Sequence, residues 1–292
     1  MTSLQTVDLA LLRKWPLPQV QATQNKEDRG RVLVIAGSVT VPGAAVLSAT
    51  AALRAGAGKL QIATCTAASV QMGLLVPEAR VFALPEIPSW GAPHDELLNA
   101  MSQADALLIG PGMESHEDVH RLERSLVRTQ HQISVLDAGA LGPGIHAGVL
   151  CTPTILTPHF GEMAGMLEIP RAQIEADPVR YASHLARLTG AVVVLKSPVT
   201  YVIAPGGQGW VHTGGVPGLG ISGSGDVLAG LITGLAARGA SAEQAAVWAV
   251  AIHGLAGETL TQRIGPLGFL ARELAGEFPG LMRQASSDVG FA

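Results

Sequence analysis

Short apolar runs recur along this chain, and they most narrow what it can fold into. "RVLVIAG" at 31–37, "DALLIG" at 105–110 and "AVVVLK" at 191–196 hold almost no polar side chain. A strand with one wet face alternates apolar and polar residues. A strand without that alternation has to be covered on both faces. "KLQIAT", "ARVFAL", "ISVLDA" and "TYVIAP" add further short strands, the last pairing with "AVVVLK" near a sheet edge. Helical stretches separate several of them. "GAAVLSATAALRAGAG" at 43–58 reads as a helix of small residues that can lie close to a sheet. From residue 225 the pattern is mostly helical, over 225–238, 241–262 and from about 266. Strands alternating with helices predict a three-layer α/β/α domain around a mainly parallel sheet. No internal repeat or linker divides residues 1–292, so one domain is expected, with "ASSDVGFA" as a loose tail.

The totals exclude several classes. Net charge is −4 and aromatic residues make up 4%, so there is neither the basic stripe nor the stacking aromatics of a nucleic-acid binder. Only 14% of residues are charged, which suggests a surface partly covered by another subunit. Cys65 and Cys151 form no CxxC pair and no disulfide framework. No signal-like leader and no uninterrupted spanning run is legible, so a soluble, cytoplasmic protein is expected.

Three motif matches fail on context. Gly218 to Gly223 spell GxGxxG, but a dinucleotide fold needs that pattern directly after its first strand, and here helices follow. "RAGAGKLQ" puts Leu60 where a phosphate loop needs Ser or Thr, and reads better as a helix end stopped by glycines. His116 to His120 spell HExxH within a polar segment that offers no third ligand.

"SGSGDVLAG" at 222–230 carries more. Gly223, Ser224 and Gly225 precede a helix beginning near Asp226. Free N–H groups at a helix start, approached closely past glycines, form an anion hole. Asp226 in the first turn could accept a proton from a substrate hydroxyl, or could simply cap the helix. The glycines ahead of it favour the first role. His159 and Glu162 follow a short strand, where parallel sheets place ligands, although either could be a surface or capping group. Lys196 ends a strand, as a phosphate contact or as a solvated lysine. Gly110 and Gly112 end another, where backbone could approach a ligand or merely turn.

In order, "GRVLVIAGS", "PGAAVLSATAALRAGAGKL", "IGPGM", "LDAGAL", "LTPHFGEMAGML", "VVVLKSPVT" and "SGSGDVLAG" resemble the ribokinase-like superfamily. More closely they resemble its ADP-dependent NAD(P)H-hydrate dehydratases, in the stand-alone form without an epimerase domain. The resemblance covers about residues 29–260. It implies repair of hydrated NADH or NADPH in the S form. The hydrate hydroxyl is phosphorylated by ADP and phosphate is then eliminated, leaving AMP, phosphate and NAD(P)H. It implies Asp226 as the base and a hydrate contact, with Ala44, Gly112 and His159 also on the hydrate. It places Lys196, Ser197, Pro198, Val199, Thr200 and Gly225 on the nucleotide, and Glu162 near magnesium. Magnesium, ADP as phosphoryl donor, a homo-oligomer such as a tetramer, and a separate hydrate epimerase in the same pathway are the implied cofactor and partners. Neither nucleic acid nor membrane is among them.

There are departures. Ser197-Pro198 stand where many members read Gly after the lysine, Phe160 stands for a proline, and SGSGD replaces GGTGD. The rival readings are a hydroxyl kinase of the hydroxyethylthiazole-kinase type and a nucleotide-binding protein without turnover.

Overall fold

The apolar runs become neighbours in one ten-stranded sheet. The computed structural model describes residues 4–19, 25–84, 95–114, 133–143, 145 and 153–286. The 116–120 motif, Cys151 and residues 287–292 of the expected tail lie outside the described residues. The strands are β1 (Leu4–Thr6), β2 (Arg31–Ile35), β3 (Lys59–Cys65), β4 (Ala79–Leu84), β5 (Ala106–Ile109), β6 (Ile133–Leu136), β7 (Thr154–Leu156), β8 (Val192–Leu195), β9 (Thr200–Ile203) and β10 (Gly209–His212). Their spatial order is β1-β10-β9-β8-β7-β6-β5-β2-β3-β4. Only β9 runs against the rest among these strands.

The described helices are α1 (Leu9–Lys14), α2 (Gly43–Arg54), α3 (Thr66–Leu75), α4 (Asp95–Gln103), α5 (Phe160–Leu167), α6 (Arg171–Ala176), α7 (Pro178–Thr189), α8 (Ser224–Ala237), α9 (Ala242–Arg263) and α10 (Ala271–Ser286). They cover both sheet faces. Side chains of a strand alternate between faces, so Val32 and Val34 join one core with α2, α8, α9 and α10. Leu33 and Ile35 join the other, with Met101, Met163 and Leu185 of α4, α5 and α7. All four β2 side chains from Val32 to Ile35 are fully buried. Each is worth roughly 1.5–3 kcal/mol of burial, which explains why the run tolerates no polar member. The expected three-layer α/β/α arrangement is the observed one.

The chain moves outward from β2 to β3 and β4, then returns to β2's other side with β5 and continues through β6, β7 and β8. The direction therefore reverses between β2 and β5. Loops after the strands there leave a crevice, the usual ligand position in such sheets.

Helix α8 lies at the centre of its layer. It is apolar all round, and every residue from Val227 to Ala237 is buried. Its Gly230 faces α2 so closely that a Cβ would lie 2.2 Å from the Ser48 carbonyl oxygen. The small residues of α2 thus admit another helix as well as the sheet.

Boundaries differ from expectation where glycines act. α2 ends at Arg54 rather than 58, because Gly56 takes a positive φ of 100°. The last helix starts at Ala271 rather than about 266, after Gly265 and Gly268, both also at positive φ. α8 starts at Ser224, two residues before Asp226. The β8–β9 pair is antiparallel and lies near the sheet edge, with β10 and β1 outside it. No described helix is long and apolar enough to cross a membrane.

Candidate active site

The polar residues singled out above converge where β6, β7 and β8 end. Asp137 follows β6 and is only 2% exposed. Lys196 follows β8, and its Nζ donates to Asp137 Oδ1 at 2.6 Å. Thr157 Oγ1, just after β7, donates to the same oxygen at 2.7 Å. Glu162 Oε2 lies 3.7 Å from Lys196 Nζ. Burial alone would lower the lysine pKa, but Asp137 and Glu162, with a smaller effect from Asp226, hold it above the ordinary value. Lys196 is therefore a fixed cation in a low-dielectric site.

Asp226 shares this field. Burial is the main cause that raises its carboxyl to about 6, with Asp137 and Glu162 adding to the effect and Lys196 opposing it. The carboxylate sits in the first turn of α8, and no side chain caps that helix. Gly223, the residue before it, takes φ 90°, a conformation that suits glycine. The start of α8 thus points uncapped N–H groups and a partial positive charge towards Lys196. A Cβ on Gly225 would lie 3.4 Å from Lys196 Nζ, so loop and lysine are in contact.

A cavity of about 570 Å³ opens beside the loop. Its walls include His159, Lys196, Ser197, Pro198, Thr200, Ser224 and Gly225. Of the expected nucleotide segment, Val199 is absent from the lining; its carbonyl instead accepts from Ser197 Oγ. Thr200 Oγ1 donates to the Ser197 carbonyl at 3.0 Å, so the SPVT turn braces itself.

Asp226 does not line that cavity either. Its Oδ2 lies 3.9 Å from where a Cβ on Gly223 would sit, and Leu47 of α2 crowds the same point. The carboxylate therefore sits close to Gly223, within the field of Asp137, Lys196 and Glu162. Ala44 of α2 and Gly112 meet at the sheet's reversal, where a Cβ on Gly112 would lie 2.5 Å from Ala44 Cβ. The expected residues thus fall into two groups, with Gly223, Ser224, Gly225 and Asp226 between them.

His159 and Glu162 cap α5. His159 Nδ1 accepts from the N–H groups of Gly161 at 2.9 Å and Glu162 at 3.1 Å. Glu162 Oε2 in turn accepts from His159 N at 2.7 Å, completing a capping box. Because Nδ1 accepts, the ring hydrogen is on Nε2 of a largely exposed side chain, 3.6 Å from Glu162 Oε1.

Asp137 was not among the residues expected at the site. The available signal was an aspartate ending the apolar run "ISVL" directly before a glycine pair of turns, but a strand-end aspartate usually reads as a cap. His253 was also missed. It lies within α9, lines the cavity, and burial pushes its pKa down to about 4.

A family model described as NAD(P)H-hydrate dehydratase matches residues 32–279. An ADP-dependent (S)-NAD(P)H-hydrate dehydratase of Xanthomonas campestris is 48% identical over 281 residues, covering 96% of each chain. The crystal structure of an ADP/ATP-dependent NAD(P)H-hydrate dehydratase of Bacillus subtilis, co-crystallized with ATP and Mg2+, superposes with a TM-score of 0.85. It is 28% identical and covers 98% of this chain and 100% of its own. A ribokinase-like superfamily protein of Enterococcus faecalis superposes with a TM-score of 0.83 at 26% identity, covering 97% of this chain and 96% of its own.

Proposed function

The chain belongs to the NAD(P)H-hydrate dehydratase family, and on that premise we propose how its residues carry out ADP-dependent dehydration of the S form of NADH or NADPH hydrate. The observation that carries the residue assignment is the uncapped α8 start, with Lys196 against Gly225 and Asp226 in the first turn within the field of that lysine.

Nucleotide occupies the 570 Å³ cavity. Its phosphates meet Lys196 and the N–H groups around Gly223, Ser224 and Gly225, with Ser197, Pro198, Val199 and Thr200 framing the turn. Hydrate binds against Ala44 and Gly112 beyond the loop and reaches the exposed side chain of His159 at the cavity wall. Asp226 accepts the proton of the hydrate hydroxyl, and the oxygen attacks the β-phosphorus of ADP. The bond to AMP breaks as the new P–O bond forms. The C–O bond then breaks with phosphate leaving, and loss of the adjacent carbon-bound proton restores the ring double bond. Hydroxide is a poor leaving group and phosphate a far better one, which is why a dehydration uses a kinase-like site. Lys196 and the helix start lower the energy of charge building on the transferring phosphoryl group.

Magnesium is implied by the family resemblance. Among the described residues no cluster of three His, Cys, Asp or Glu is placed to hold an ion alone. At phosphoryl-transfer sites magnesium takes one or two carboxylates together with substrate phosphates. Glu162, whose Oε2 lies 3.7 Å from Lys196 Nζ, supplies a carboxylate that fits that need. Glu162 would hold the ion together with the substrate phosphates, and the ion when bound would neutralise phosphate charge.

The protein is proposed to work in the cytoplasm as a homo-oligomer, a single domain per chain, alongside a separate hydrate epimerase.

The test incubates NADH hydrate with the protein, magnesium and ADP, then with ATP, following the NADH absorbance band. Recovery with ADP, and none with Asp226→Asn that still binds ADP, is the expected result. Recovery with ATP alone changes the donor. No recovery with either nucleotide, despite nucleotide binding, points to a hydroxyl kinase of the same fold. Near-normal turnover by Asp226→Asn removes it as the base.

A further inference from the structure

The buried His253 has no part in the chemistry above, yet it touches the loop at its centre. It stands on α9, across the cavity wall from the start of α8. Its Nε2 lies 3.1 Å from the Ser224 carbonyl oxygen and 3.2 Å from Ser224 Oγ.

These two contacts fix where the hydrogens are. A carbonyl oxygen only accepts, so Nε2 must carry the hydrogen. Burial keeps the ring neutral at working pH, so Nδ1 carries none. Ser224 Oγ, facing an N–H that is already a donor, can only accept from it. The serine's own hydrogen then has to point elsewhere. Ser224 also lines the cavity beside Gly225 and Lys196. An acceptor entering there between lysine and loop would meet that hydroxyl.

We propose that His253 is a positioning residue which, by donating Nε2–H to Ser224, turns the Ser224 hydroxyl outward as a hydrogen-bond donor to a phosphoryl oxygen of the nucleotide. This rests on the reading that the loop holds the nucleotide phosphates. The histidine touches no substrate; it sets the direction of a group that does. A hydroxyl that donated to the imidazole would be lost to the ligand. The fixed tautomer prevents that.

Two measurements test it. Long-range 15N NMR of the wild-type protein, with the His253 signals identified by their loss in His253→Gln, reads the tautomer directly. Hydrogen on Nε2 is expected; hydrogen on Nδ1 overturns the inference. Calorimetric titration then compares ADP with adenosine, which lacks phosphate. Ser224→Ala and His253→Leu should each weaken ADP binding by about tenfold or more, as for a hydrogen bond to a charged group, and leave adenosine binding unchanged. The double variant should be no worse than either single one. His253→Gln, whose amide keeps a donor near the Nε2 position, should restore ADP affinity. If His253→Leu weakens adenosine and ADP equally, the residue is merely structural and the inference fails. If Ser224→Ala weakens ADP while His253→Leu does not, the positioning role fails and the loop reading stands. If Ser224→Ala binds ADP as wild type does, with Gly225→Val also without effect, the loop reading itself fails.

Discussion

An aspartate protonated up to about pH 6 is costly to ionise in the folded protein. Its ordinary value is 3.8, so between these two values the folded state binds more protons than the unfolded. The contribution of this carboxyl to stability is thus greatest below the lower value and is lost as pH rises through about 6. Asp226→Asn removes the burden. The variant should gain about 1–3 kcal/mol over wild type in urea denaturation at pH 8, and the gain should vanish below pH 4. An equal gain at both pH values would show that the carboxyl is not strained. Activity runs the opposite way. A base must be deprotonated to work, so kcat/KM should fall below about pH 6, and a profile flat to pH 5 would remove Asp226 from that role. Asp226 and Lys196 were legible because a glycine-rich loop and a strand end are local signals. Asp137 was not. Its importance comes from Lys196, which is 59 residues away in sequence. His253 was hidden for another reason: nothing in the apolar run of α9 marks which position faces a loop on α8.

Among the helices, α2 and α8 show how sequence composition becomes geometry. The string of alanines in α2 was legible as a helix made to approach something closely. What it approaches, Gly230 and Gly234 of α8, needs the third dimension. A Cβ on Gly230 would meet backbone, which cannot swing away as a side chain end can. Gly230→Ala should therefore cost about 1–3 kcal/mol despite alanine's better helix propensity. Gly276→Ala in α10 meets nothing within 4 Å and should be neutral or stabilising by a few tenths. Thermal melting of both variants checks the pair. Equal melting temperatures would mean that α2 yields freely. Because α8 also carries Asp226, a displaced α8 should lower turnover along with stability. The helix ends that sequence reading misplaced, at residues 54 and 271, follow from glycine φ values that no local pattern displays.

At the scale of the whole molecule, the central strands were readable because both of their faces are dry. The edge was not. β1 is three residues long and mostly exposed, and β10 is four residues long with only Gly209 and Trp210 buried, so neither shows the fully apolar run of a central strand. One surface region is unusually apolar. Val70, Leu74 and Leu75 on α3 are 74%, 79% and 65% exposed, beside a groove of about 330 Å³ between α2 and α3. These residues are where the proposed self-association would be expected to occur. Leu74→Glu should shift sedimentation towards monomer, and an unchanged mass would place any interface elsewhere. The direction of β1 has a practical bearing as well. It runs parallel to β10, which ends at His212 in the cavity wall. The polypeptide therefore enters the sheet from the end remote from the cavity. Fastened to a surface through a linker ahead of Leu4, the molecule would stand with its mouth turned out to the solution, open to small molecules arriving from the bulk.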